Sequence, residues 1–397
     1  MISKEDKQMP ELSNRTAHFT DSVIRRMTRI ANKYRAINLS QGFPDFDPPE
    51  EITRRLKEVA QSGPHQYALT WGAQNFREAL AEKHERFSGQ RINPDKEIVV
   101  TCGSTEAMMA AMMSVTNPGD KVIVFSPFYE NYGADAILSG AEPIYVSLNP
   151  PEFTFKYEEL ENAFKQGVKA IIVCNPSNPS GKVFTYEELS QIADLAKKYD
   201  TFVITDEVYE HIIYAPFKHV YMSTLPEMKE RTIICNSLSK TYSITGWRLG
   251  YVIANENVID RVKKVHDFLT VGAAAPLMEA AVTGLRFGDE YYEELREHYT
   301  HMKNLFLGGL KDIGFKFTEP QGAYYVMVDV SEFAVDDDLK FCEWMAQHVG
   351  VAAVPGSSFF KEDIQNYVRF HFAKSDDTLN EALERLTGLK YHSFYER

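Results

Sequence analysis

A chain of 397 residues is too long for one compact core and suits two domains of unequal size. Its formal net charge of −13 argues against a surface for nucleic acid or anionic membrane, which needs clustered Lys and Arg, and no apolar run is long enough to span a bilayer. Cys102, Cys174, Cys235 and Cys342 are widely spaced with no C-x-x-C pair, so neither a metal site nor a disulfide framework is indicated, and three of the four sit in apolar runs as buried thiols would.

In chain order, residues 16–33 carry Val23, Ile24, Met27 and Ile30 at helical spacing behind the possible caps Thr20 and Asp21, which predicts an amphipathic helix. Residues 37–49 contain Gly42 and two proline turns, so no regular element is expected there. Helices follow at 50–62 and 75–87, with a loop at 65–72 between them. Residues 97–101 read as a buried strand and 102–113 as a turn opening into an apolar helix, its methionines belonging to the core. Strands near 98, 122, 170, 202, 232 and 249 alternate with helices, among them 186–199, and this order predicts a mostly parallel sheet with right-handed crossovers. After a long amphipathic stretch at 289–312 come strands near 315, 323, 351 and 367 and helices at 338–348 and 376–387. The expected fold is therefore α/β, a mostly parallel sheet of the seven-stranded type between helices, in a large domain at 48–288. A smaller α+β domain is expected from 1–47 with 289–397. The charged segment 1–8 lacks the apolar core of a leader, so a cytoplasmic location is expected.

The residues that carry chemistry stand after the strands. Residues 236–250, Asn-Ser-Leu-Ser-Lys-Thr-Tyr-Ser-Ile-Thr-Gly-Trp-Arg-Leu-Gly, set Lys240 among hydroxyls with Arg248 eight positions on. A lone loop lysine is ordinarily solvated. It becomes a nucleophile only if neutral near pH 7, which takes desolvation or a neighbouring cation such as Arg248. Gly103, Ser104 and Thr105 open a helix whose unpaired amides suit an anion, unless the hydroxyls simply cap it. Residues 175–181, Asn-Pro-Ser-Asn-Pro-Ser-Gly, must turn sharply. Asp206 ends an apolar strand, a costly place for a carboxylate without a cationic partner. Arg369 lies in the alternating run 366–374, either as a fork for a carboxylate or as an exposed edge-strand arginine.

Ser-x-Ser-Lys with Gly-x-Arg-x-Gly at 237–250, Asn-Pro-x-Asn-Pro-x-Gly at 175–181 and Gln-Gly-Phe-Pro-Asp-Phe at 41–46 resemble the motifs of class I/II pyridoxal-phosphate (PLP) aminotransferases of fold type I, the aspartate aminotransferase superfamily. The resemblance runs from Gly42 to Arg369. It implies a PLP-dependent transfer of an amino group from an amino acid to an oxo acid such as 2-oxoglutarate. Lys240 would be the Schiff-base lysine, Asp206 the partner of the pyridine nitrogen that makes the ring an electron sink, and Asn178 and Tyr209 the neighbours of its phenolic oxygen. Tyr129 would stack on the ring. Gly103, Ser104, Thr105, Ser237 and Arg248 would hold the phosphate, while Gly42, Asn178 and Arg369 would bind the substrate, Arg369 at its α-carboxylate.

Tyr67, by itself an ordinary packing tyrosine, would cross a two-fold axis to the other subunit's phosphate, which implies a homodimer. The overall pattern is similar to the subgroup with aspartate, aromatic, methionine, glutamine and kynurenine aminotransferases. Acid-specialised members of it can place a lysine at the position of Thr105, and aromatic-selective ones bulky rings where 271–275 stands. This chain has neither feature, and no cation for a second carboxylate is evident, so a permissive pocket is expected. The run 272–275 gives either side-chain room or tight helix packing. Two alternatives share the site: a β-lyase acting on cysteine conjugates, and a degenerate regulator, though regulators of this kind usually carry a DNA-binding domain for which 1–42 is too short.

Overall fold

The computed structural model describes residues 10–391 apart from residues 18, 20 and 334. Helix α1, Val23–Tyr34, begins later than the hydrophobic spacing predicts. Its cap is Ser22, whose hydroxyl accepts from Arg25 N, whereas Asp21 pairs with Arg29 and Thr20 lies outside the described residues. Strand β1, Ile37–Asn38, corrects the expectation of no regular element at 37–49. The prolines that forbid pairing begin only at 44, which leaves these two residues free to bond another strand.

The large sheet and its cover follow in alternation. They are α2 (Glu50–Ser62), α3 (Gln74–Ser88), β2 (Ile98–Thr101), α4 (Ser104–Val115), β3 (Lys121–Ser126), α5 (Asn131–Leu138), β4 (Glu142–Ser147), α6 (Tyr157–Phe164), β5 (Val168–Cys174), α7 (Tyr186–Lys198), β6 (Phe202–Asp206), β7 (Thr232–Ser237), β8 (Gly250–Ile253), α8 (Glu256–Thr270) and α9 (Ala275–Leu285). Seven strands form one sheet in the order β2-β8-β7-β6-β5-β3-β4, with β4, β3, β5, β6 and β7 parallel and β8 antiparallel to both its neighbours.

Alternation along each strand serves both faces. Ile171, Val173 and Val203 pack with Leu160 of α6 and Leu189 of α7, while Ala170, Ile172 and Ile204 pack with Ala107 of α4 and Ile259 of α8. Strand β4 was not among the strands expected from sequence. It is an edge strand with Pro143 and an exposed Glu142, so it lacks the continuous apolar run that marks the central strands.

The chain continues through α10 (Asp289–Ile313), β9 (Lys316–Phe317), β10 (Tyr325–Asp329), α11 (Asp338–His348), β11 (Val351–Ala352), β12 (Val354–Pro355), β13 (Tyr367–His371) and α12 (Asp376–Thr387). An antiparallel sheet, β12-β13-β10-β9, backs a second core of Met27, Tyr299, Phe306, Val326, Phe370 and Leu379, and β1 pairs in parallel with β11. All four cysteines are free, three of them buried. Among the described residues no helix is long and apolar enough to cross a membrane.

Candidate active site

Parallel strands all end on one edge, so the turns after β5, β6 and β7 converge there. They carry Asn178, Asp206 with Tyr209, and Ser237 with Lys240, and all of these line one cavity of about 960 Å³. Gly42, Ser104, Thr105, Tyr129, Arg248 and Arg369 also line it.

One corner of the cavity gathers Arg248, Ser237 and the start of α4, chemistry that suits an anion. Ser104 begins α4, and Gly103 before it has φ +83°; a Cβ there would stand 2.2 Å from Arg248 Nη2. Gly250 pairs with Ser237 across β7 and β8, and a Cβ on it would stand 2.6 Å from Ser104 N. Both glycines are therefore required for Arg248, Ser237 and the first amides of α4 to meet. Gly103 shapes this corner from behind and is not itself on the cavity wall. Arg248 holds a left-handed backbone, φ +54°, with Nη1 donating to Thr245 O at 3.0 Å.

Strand alternation sends Asp206 into the cavity and the adjacent Glu207 away from it. Glu207 accepts from Thr205 Oγ1 at 2.8 Å and lies 3.2 Å from His219, whereas Asp206 accepts from Tyr132 Oη at 2.7 Å and from Val208 N at 3.3 Å. Burial pushes Asp206 up to about 6, against the opposing pull of the Tyr132 hydrogen bond. The Tyr209 hydroxyl is 2.8 Å from that of Tyr325.

Lys240 Nζ donates to Gly42 O at 2.9 Å. Burial, then the positive charges of Arg248 and Arg369, lower it from 10.5 to about 8, with Asp206 opposing. Desolvation is thus the larger of the two causes that the sequence suggested, and the neighbouring cation the smaller. Arg369 is 1% exposed and its pKa is lowered by burial. Nη1 donates to Asn178 Oδ1 at 2.7 Å and Nη2 to Ser40 O at 2.6 Å, but Nε has no partner. Its guanidinium stacks 4.3 Å from the Tyr325 ring centre, so Arg369 is a buried fork and not an exposed edge residue. Gly42 is fixed by the same ring, because a Cβ there would stand 2.1 Å from Tyr325 Oη. The Asn178–Pro179 bond is cis.

Residues 34–386 match the family "Aminotransferase class I and II". The chain is 35% identical to the methionine aminotransferase of Escherichia coli K12 over 369 residues, covering 93% of this chain and 96% of that protein. It is 34% identical to the kynurenine–oxoglutarate transaminase of Dictyostelium discoideum, covering 95% and 96% respectively. The structure of N-succinyldiaminopimelate aminotransferase from Mycobacterium tuberculosis superposes with a TM-score of 0.93 at 33% identity, over 96% of this chain and 100% of that one.

The chain belongs to the class I and II aminotransferases. This aminotransferase is a PLP-dependent enzyme of fold type I that moves amino groups between amino acids and oxo acids. Its residues fit that cofactor. The corner that two glycines keep open suits a phosphate, Asp206 is a buried carboxyl of the kind that can accept from a ring N–H, and Lys240 is an amine with a depressed pKa on the same wall.

Several groups on the cavity wall of this aminotransferase escaped the sequence reading. Tyr132 follows Tyr129 across the turn into α5, its N donating to Tyr129 O at 3.1 Å with the two rings 5.8 Å apart, and nothing in the local pattern marks it as a partner of Asp206. Tyr325 meets Arg369 through the β10–β13 register, which no local pattern encodes. Of the methionine run expected in the core, Met108 and Met112 are in the core packed on the sheet, while Met109 lines the cavity and Met108 borders both. Arg25 on α1 also lines the cavity, whereas the sequence offered no evident cation for a second carboxylate. Tyr67 is 89% exposed and away from its own chain's cavity.

Proposed function

We propose that Lys240 is the covalent PLP lysine and the proton carrier of transamination. The observation that carries this reading is a lysine lowered to about 8 on the wall that also holds Asp206, the anion cradle and Arg369. PLP, when bound, supplies an electron sink for the carbanion left when the donor's Cα loses its proton. Ser104, Thr105, Ser237 and Arg248 bind its phosphate, Asp206 holds the ring nitrogen protonated, and Asn178, Tyr209 and Tyr129 orient the ring. The Arg369 Nε, buried without a partner, is satisfied by the substrate α-carboxylate, assisted by Gly42 and Asn178. With the cofactor bound, Lys240 Nζ, an amine lowered to about 8 by desolvation, would be the group placed to accept the proton from the donor's Cα and to hold it for return. The large domain comprises 48–288 and the small one 1–47 with 289–397, which agrees with the residues contributed to the two larger sheets and with β1 pairing to β11.

The working unit in this reading is a cytoplasmic homodimer. Loop residue Thr70 is tied to the end of α8 by His266 at 2.7 Å, which gathers the exposed Tyr67, Leu69, Phe268, Leu269 and Val271 near one region of the surface. An apolar patch of this kind calls for a cover, and a second copy would bring Tyr67 to the other site. Mixing inactive Lys240→Ala chains with an inactive Tyr67→Phe or Tyr67→Ala variant should restore activity, since one site of each hybrid then has both groups. No recovery over either parent would assign the contact to a single chain.

Substrate breadth follows from magnitudes. An exposed ion pair is worth about 0.2–1 kcal/mol, so Arg25 can favour a second carboxylate by about fivefold at most. A methylene more or less in the pocket is worth about 1–3 kcal/mol. Shape therefore outweighs charge, and glutamate serves as the recycling donor alongside neutral donors. A single-turnover screen should give measurable half-reactions with methionine, glutamine or an aromatic amino acid. Aspartate and glutamate reacting roughly ten thousand times faster than every neutral donor would overturn the permissive pocket.

A further inference from the structure

Helix α5 presents two polar side chains three residues apart, and hence on one face. Tyr132 spends its hydroxyl on Asp206. Asp135, 4% exposed, lines the same cavity, and its Oδ2 has no hydrogen-bond partner. A buried carboxyl in that state is costly when ionised, the more so beside another carboxyl. Resting on the reading of Asp206 as the ring-nitrogen partner, we infer that Asp135 is a positioning residue acting through Asp206. Neutral, it leaves Asp206 as the anion facing the ring; ionised, it adds a second negative charge that tightens the hold on a protonated pyridine.

Burial first and Asp206 second push Asp135 up to about 8. The other titratable groups on elements packed against α5 are Glu106 on α4, Arg15 in the turn at 14–16, Lys121 on β3, and Glu142 and Tyr145 on β4. Cys174 ends β5, Cys235 lies within β7, and Tyr132 is on α5 itself. Of these groups, Asp206 is the one whose charge moves Asp135; Glu106 is committed to His266 at 2.6 Å. Asp135 is therefore neutral below about pH 8 and ionised above it. A cationic ring favours the ionised form, so the contribution of Asp135 to binding of the ring grows as pH rises through about 8.

The test uses pyridoxamine 5′-phosphate, which carries the ring and phosphate but no aldehyde to react with Lys240. Its Kd is measured on the full-length chain stripped of cofactor, at about pH 6.5 and about pH 9, for wild type, Asp135→Asn and Asp135→Leu. The variant-to-wild-type ratio is expected within about twofold at the lower pH and at roughly tenfold at the higher, the equivalent of one pKa unit of coupling. Asp135→Leu, which cannot hydrogen-bond, should follow Asp135→Asn, because charge and not packing is being read. A ratio independent of pH in both variants overturns the role of Asp135 and leaves that of Asp206 standing. Absence of saturable binding by the wild type overturns both.

Discussion

Lys240→Ala is expected to abolish turnover, by at least about ten-thousandfold, while leaving the chain folded. Proton transfer by a positioned group is worth about 10²–10⁴ in rate, and the covalent hold on the cofactor is lost in addition. The fold should survive because Gly42 O keeps a second donor, Tyr324 Oη at 2.9 Å, so the substitution strands no buried acceptor. Lys240 is the one lysine on the cavity wall among the described residues. Borohydride reduction followed by peptide mass spectrometry should find PLP on this lysine in the wild type and on none in the variant; a reducible linkage persisting in the variant would defeat the assignment. In wild type stripped of cofactor, the rate of covalent capture should climb as pH rises through about 8, where the amine becomes neutral, and then level off.

Asp206→Ala should retain some PLP through the phosphate cradle yet lose roughly a thousandfold or more in kcat, since preorganised electrostatic groups at charge-developing atoms carry effects of this size. The substitution also takes the acceptor from Tyr132 Oη, at a cost of about 1–3 kcal/mol. Relief of the carboxylate's own burial offsets part of that cost. Asp206→Asn separates the two effects: it keeps an acceptor for Tyr132 but cannot bear the charge that holds a ring proton. Both variants should be slow, with Asp206→Asn the more stable to heat. Near-normal turnover in either would make this carboxylate structural.

The chemistry-bearing turns were legible because each follows a strand whose apolar run is continuous, and a parallel sheet puts all such turns on one edge. In Asp206-Glu207, the period-2 alternation means only one acid can face the cavity, and the sheet register decides which. What escaped depends on contacts distant in sequence. Tyr325 reaches Arg369 through strand pairing, Arg25 reaches the cavity because α1 folds over it, and Asp135 looks like any polar residue of a short helix until its missing partner is seen. Strand β4 differs from expectation for a local reason, its edge position, and the start of α1 because Ser22 takes the cap while Asp21 pairs with Arg29.

The site is sewn from segments at opposite ends of the chain: Arg369 reaches back to Ser40 and Asn178, and Lys240 to Gly42. A nascent chain released short of β13 therefore has the cradle for a phosphate but not the clasp for a carboxylate, and the full set exists only after long-range closure. Cofactor loading then becomes part of conformational stability. At a free cofactor concentration a hundred times its Kd, mass action adds about 2.7 kcal/mol to the native state. In a cell starved of the vitamin that supplies it, this protein would lose abundance through proteolysis as well as activity, and both losses would have the same origin.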